Sequence, residues 1–102
     1  MLKIRLFCAA GMSTSFLVTK MKKAAEVKGI EVDIEALPES SLEKSLDEVD
    51  VALLGPQIGF ALPKVKKVCD AKGVPVEVIP MVDYGMMNGE KVLALALKLA
   101  GK

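Results

Sequence analysis

Short apolar runs alternate along the chain with longer stretches in which apolar residues recur every three or four positions. Lys3–Phe7 is the first such run and reads as a strand. From Ser13 to Lys28, Leu17, Met21, Ala24 and Ala25 line one face of a helix, and Gly29 stands where a helix stop belongs. Glu31–Ala36 alternates polar and apolar residues, the pattern of a half-exposed strand, with Pro38 as its breaker. Ser40-Ser41-Leu42-Glu43 has capping-box spacing and opens a short second helix with Leu42, Leu46 and Val49 turned inward. Val51–Leu54 is apolar throughout, as expected of a parallel strand buried on both faces. After a Gly55-Pro56-Gln57 turn, Ile58, Ala61, Leu62, Val65, Val68 and Cys69 mark a third helix from about Ile58 to Lys72, closed by Gly73. Val76–Ile79, entered through Pro75 and ended by Pro80, is the fourth strand. Met81–Gly89 reads as a loop and Glu90–Leu99 as the last helix.

Strands that alternate with helices predict an α/β fold: one domain over residues 1–102, with a four-stranded parallel sheet and helices on both faces. Right-handed crossovers give the strand order 2-1-3-4. The first and third strands are then neighbours at the topological switch point, where ligands of open α/β sheets bind beyond the strand C-termini. Cys8, the Gly55-Pro56-Gln57 turn and the Met81–Gly89 loop all fall on that edge.

Composition narrows the function classes. With 102 residues, 52% hydrophobic and 26% charged, the chain has material for one folded core. No apolar run approaches a membrane span. Charges at Lys3 and Arg5 stand where an export signal would be apolar, so a cytoplasmic location is expected, without membrane insertion. The net charge of +1 gives no general attraction to nucleic acid. Lys20, Lys22, Lys23 and Lys28 read as a solvated helix face near a C-terminus that favours cations. There is no histidine, and the two cysteines are far apart. Metal binding, a resolving-thiol redox pair and Cys-His or Ser-His-Asp catalysis are therefore not expected, and no cofactor is implied. Cys69 matches the apolar phase of its helix and reads as packing. Met12, Met86 and Met87 fall in loops, where methionine suits a docking surface.

Cys8 remains. It ends an apolar strand and begins Cys8-Ala9-Ala10-Gly11-Met12-Ser13-Thr14-Ser15, which runs straight into a helix. Backbone N–H groups at a helix start are unpaired and attract anions, and a thiol held there tends towards thiolate. Ala9, Ala10 and Gly11 are small enough for backbone to curl round an anion. Ser13, Thr14 and Ser15 supply hydroxyls where a helix cap needs only one. No Lys or Arg lies between Arg5 and Lys20. A bound phosphate would then be held mainly by hydrogen bonds, at about 1.5–3 kcal/mol each to a charged group, with about 0.3–2 kcal/mol from the helix dipole. Phosphoryl transfer through Cys8 also requires its sulfur to be reachable from solvent. Gln57, Asp83 and Tyr84 are candidates for the site edge, Tyr84 being equally readable as a cover over apolar surface.

The segments C-A-A-G-M-S-T-S at 8–15, L-L-G-P-Q-I at 53–58 and Y-G-M-M-N-G at 84–89 together resemble the IIB component of the bacterial sugar phosphotransferase system, lactose/cellobiose type. The resemblance spans essentially the whole chain and implies a fold like that of the low-molecular-weight tyrosine phosphatases. It implies that Cys8 becomes a phosphocysteine, taking the group from a histidine of a IIA protein and giving it to a sugar bound by a membrane IIC protein. It also implies that residues 9–15 cradle the phosphate, and that cellobiose, chitobiose or a related β-glucoside is the sugar. The missing histidine would arrive on the partner. The loop is also similar to the phosphatase pattern C-x5-R-[ST], but Thr14 stands at the arginine position, and that arginine stabilises the hydrolytic transition state. A phosphatase-like hydrolase and a regulatory phosphate-sensing module are the alternatives.

Overall fold

The computed structural model describes residues 1–8 and 12–101, and the backbone alone for residues 12–14 and 43. Four parallel strands form one sheet: β1 (Leu2–Cys8), β2 (Val32–Pro38), β3 (Val51–Leu54) and β4 (Val76–Val78), in the order β2-β1-β3-β4. The expected 2-1-3-4 order is therefore the observed one. Among the described residues five α-helices connect or follow the strands: α1 (Met12–Lys28), α2 (Leu42–Ser45), α3 (Leu62–Ala71), α4 (Met81–Gly85) and α5 (Gly89–Leu99). β1 pairs with β2 from Leu2↔Val32 to Cys8↔Pro38 and with β3 from Ile4↔Val51 to Phe7↔Leu54.

Side-chain alternation divides the core between the two faces of the sheet. Ile4, Leu6, Ile34, Val51 and Leu53 pack with Leu17, Met21 and Ala25 of α1 and with Val92, Leu93 and Ala96 of α5. Phe7, Ala52, Leu54 and Val76 pack on the other side with Leu42, Leu46, Val65 and Cys69. All four residues of β3 are fully buried, which explains why that strand shows no polar alternation. α1 and α3 end in the same device. Gly29 and Gly73 both adopt φ 70, and Ile30 and Val74 donate to the Ala25 and Cys69 carbonyls at 2.9 Å. A left-handed residue closed by such a six-to-one bond is the Schellman stop, and glycine adopts it without a Cβ penalty.

Beyond shifts of a single residue at element ends, the structure departs from the sequence pattern at four places. β2 continues through Leu37 to Pro38; as an edge strand it tolerates a final residue with no N–H. The capping box at Ser40 does not form. A 3-10 turn over Glu39–Ser41 runs directly into α2, and Ser41 makes no side-chain cap. The third helix does not start at Ile58. Residues Pro56–Ala61 form a 3-10 segment with Ile58 at φ −115, ψ 24, and the α-helix begins at Leu62. Pro63 is the cause: its ring excludes the α-helical turn before it, and it has no N–H for the Gly59 carbonyl. That carbonyl accepts instead from Leu62. Finally, Met81–Gly85 is a helical turn, and α5 starts at Gly89 because the Asn88 side chain accepts the Lys91 N–H at 3.1 Å.

Candidate functional site

Cys8 ends the inner strand β1, with Pro38 of β2 paired opposite. On the other side the Gly55 N–H donates to the Phe7 carbonyl at 2.8 Å, holding the turn after β3 against the peptide that precedes Cys8. Ile4 and Leu6 belong to the cluster under α1 and α5, and alternation turns Cys8 to that face. Cys8 is only 3% exposed. The residue is thus less open than direct attack from solvent demands.

Three residues separate Cys8 from the start of α1. They are Ala9, Ala10 and Gly11, expected members of the phosphate cradle, and they lie outside the described residues. α1 begins at Met12, one residue earlier than the pattern predicts, so Ser13, Thr14 and Ser15 occupy its first turn and not its cap. That turn carries no acidic residue, and a carboxylate there would oppose an anion drawn to the positive end of the helix dipole. Ser15 is exposed, and its carbonyl accepts the Thr19 hydroxyl at 3.2 Å.

Gly55 is buried beside Cys8. A β-carbon at position 55 would fall 2.7 Å from the Gln57 Oε1 and 3.4 Å from the Cys8 Cβ. The Gln57 side chain therefore folds back across Gly55 towards Cys8 while remaining exposed. Asp83 lies half-buried in α4, on the same sheet edge, and its carbonyl accepts the Asn88 N–H at 2.9 Å. Tyr84 is buried in the cluster beneath α1 and α5.

Arg5 is the chain's sole arginine. Three residues before Cys8, alternation points it to the opposite face of β1. Its guanidinium donates to the carbonyls of Asp33 (2.7 Å) and Ile4 (3.0 Å) and to Asp33 Oδ2 (3.2 Å), with Glu35 at 3.7 Å. It is fully engaged away from the thiol. Cys69 is buried in α3, and burial, helped by the neighbouring Asp70 carboxylate, pushes its thiol up from the ordinary value of 9.0. Among the described residues no three His, Cys, Asp or Glu side chains come together as a metal site, and no helix is long and apolar enough to cross a membrane.

Five large apolar side chains are more than two-thirds exposed on segments near this edge: Phe16 in α1, Phe60 after β3, and Met81, Val82 and Met86 on or next to α4. Of the methionines that suit a docking surface by position, Met86 is exposed and Met87 is half-buried against the α1–α5 core. Phe16 is the residue that pattern reading passes over. It precedes buried Leu17 by one position, so it stands off the apolar stripe, and that phase is the signal. Lys20, Lys22, Lys23 and Lys28 are exposed, as a solvated face requires.

Residues 3–95 match the family described as the lactose/cellobiose-specific IIB subunit of the phosphotransferase system. The galactose-specific EIIB component of Lactococcus lactis subsp. cremoris (strain MG1363) is 48% identical over 101 residues, covering 94% of each chain. The oligo-beta-mannoside-specific EIIB component of Bacillus subtilis (strain 168) is 42% identical over 99 residues, 97% of this chain and 96% of that protein. The solution structure of the cellobiose-specific phosphotransferase IIB component protein from Borrelia burgdorferi superimposes with a TM-score of 0.82 at 45% identity, over 98% of this chain and 92% of that one.

Proposed function

Because the chain belongs to the lactose/cellobiose-specific IIB family of the sugar phosphotransferase system, we propose that it is a cytoplasmic phosphoryl relay centred on Cys8. The thiolate attacks the phosphorus of a phosphohistidine on a IIA partner. The S–P bond forms as the P–N bond breaks, and the electron pair returns to the imidazole nitrogen. In a second docking event a hydroxyl oxygen of a sugar held by a membrane IIC partner attacks the same phosphorus. The S–P pair returns to sulfur, and the hydroxyl proton leaves to a base beside the sugar. Both steps rest on in-line positioning and on donors aimed at the phosphoryl oxygens.

The observation that carries this reading is Cys8 at the switch-point end of β1, separated by three residues from a helix whose first turn holds no acid. Arg5, tied to Asp33 and Glu35 on the other face, adds weight against hydrolysis, because a relay needs a phosphoryl group that stays transferable. The exposed Phe16, Phe60, Met81, Val82 and Met86 suit successive docking of two partner proteins. With Cys8 at 3% exposure, docking must also draw aside whatever shields the sulfur. The sugar proposed is of the cellobiose, chitobiose or lactose type; the relatives are named for galactose, cellobiose and oligo-beta-mannoside.

The test combines the protein with phosphoenolpyruvate, the general phosphotransferase proteins and candidate IIA proteins, and locates added phosphate by mass spectrometry. The wild type gains one phosphate at Cys8, dependent on IIA, and Cys8→Ala gains none. Uptake by Cys8→Ala refutes the relay.

A further inference from the structure

We propose that the Gln57 side-chain amide is a further phosphoryl-binding group, donating a hydrogen bond to a phosphoryl group carried on Cys8; this rests on the relay reading above. The geometry is that of Gly55. The position its missing β-carbon would take lies 2.7 Å from the Gln57 Oε1 and 3.4 Å from the Cys8 Cβ. The amide and the cysteine thus border the same space beside Gly55, and a sulfur-bound phosphoryl group is large enough to reach across it. A side chain at position 55 would close it.

The backbone on either side of Gln57 is pinned. Pro56 opens the 3-10 segment, the Ile58 N–H donates to the Gly55 carbonyl at 3.1 Å, and the Ile58 side chain is buried. Gly55 is itself tied to Phe7. The Gln57 side chain is exposed, so it can turn its amide N–H to the place now held by Oε1 and meet an incoming group without breaking a core contact. The chemistry fits the lack of a nearby cation. A dianion gains from each donor, and the one guanidinium is engaged elsewhere. A neutral amide supplies a donor without the fixed charge that would hold the dianion too firmly to pass on.

The experiment compares wild type, Gln57→Leu and Gln57→Glu in the reconstituted phosphoenolpyruvate-driven system. It reads the equilibrium share of phosphate between IIA and Cys8, the pH titration of the phosphocysteine by phosphorus NMR, and the thermal midpoint. Removing the donor in Gln57→Leu lowers the equilibrium share on Cys8 by about tenfold or more, the worth of one hydrogen bond to a charged group. It also raises the pH at which the phosphoryl group takes its second charge. Gln57→Glu raises that pH further, because a carboxylate opposes the dianion. Both variants keep the wild-type midpoint, since Gln57 is exposed. If the wild type is phosphorylated on Cys8 and both variants match it in share and titration, the assignment of Gln57 fails while the relay stands. If the wild type takes no phosphate on Cys8, the relay itself falls and Gln57 with it.

Discussion

Gly89→Ala tests the packing that sets α1 against α5. Gly89 is the buried first residue of α5. A β-carbon there overlaps the Lys20 carbonyl carbon and stands 2.6 Å from the Lys20 Cβ and the Met21 nitrogen. These atoms include backbone in the middle of a 17-residue helix, so no flexible side chain can swing aside. The helices must part, and Met21, Leu17, Val92 and Leu93, all fully buried, lose contact. Overpacking of this kind costs about 1–3 kcal/mol, with backbone collisions at the upper end. The gain of alanine over glycine is at most about 1 kcal/mol in a helix interior and less in a first turn. The net loss is about 2 kcal/mol. At about 4–8 °C per kcal/mol for a domain of this size, the thermal midpoint falls by about 8–16 °C, measured by circular dichroism and checked by urea unfolding. Gly85→Ala is the control, because a β-carbon at Gly85 meets nothing within 4 Å. A Gly89→Ala protein as stable as wild type would refute the close approach of the two helices.

Three further substitutions or conditions follow. Thr14→Arg puts a guanidinium at the position the phosphatase-like loops use, so it holds the phosphoryl group about tenfold more firmly; onward transfer slows in a discharge assay, and an unchanged rate counts against the role of the missing cation. Arg5→Met removes hydrogen bonds to Asp33 and the 3.7 Å pair with Glu35 and lowers stability by about 1 kcal/mol in urea unfolding, since the partners are partly solvated; phosphate uptake is retained. Cys69 has a folded value raised above the ordinary 9.0, so the stability of its neutral thiol is complete below pH 9.0 and declines above it, as the unfolded chain releases the proton first. Thermal midpoints of wild type then fall more steeply above pH 9.0 than those of Cys69→Ala, and parallel curves would contradict this.

Much of the fold is legible because particular residues leave few alternatives. Val51–Leu54 carries four apolar residues in a row, which burial on both faces explains and one-sided burial does not. Gly29 and Gly73 mark helix ends because the left-handed stop they form disfavours side chains. What the pattern conceals is where two local signals compete. Ile58, Ala61 and Leu62 keep helical spacing, yet Pro63 restricts the turn before it, and the steric term prevails. Ser40 and Glu43 have capping spacing, but a 3-10 turn occupies that place. Asn88 caps α5 from within a segment that also holds a helical turn, and Pro80 ahead of Met81 is a weak signal for so short a helix. At the site, Cys8 and its helix are legible from small residues and hydroxyls. The depth of Cys8 is not, because burial at a strand end depends on β2 and β3, which are remote in sequence. The burial of Tyr84 beneath α1 and α5 likewise depends on elements remote in sequence. The fold-back of Gln57 over Gly55 depends on the glycine's neighbours in space and has no periodic signature.

One label chase separates relay, hydrolase and sensor. Protein carrying labelled phosphate on Cys8 is purified and mixed with membranes containing a IIC protein, with and without cellobiose. A relay sends the label to the sugar, only when sugar and membranes are both present, and returns an unmodified thiol. Label that stays on the protein, or that appears as inorganic phosphate at the same rate without sugar, contradicts it.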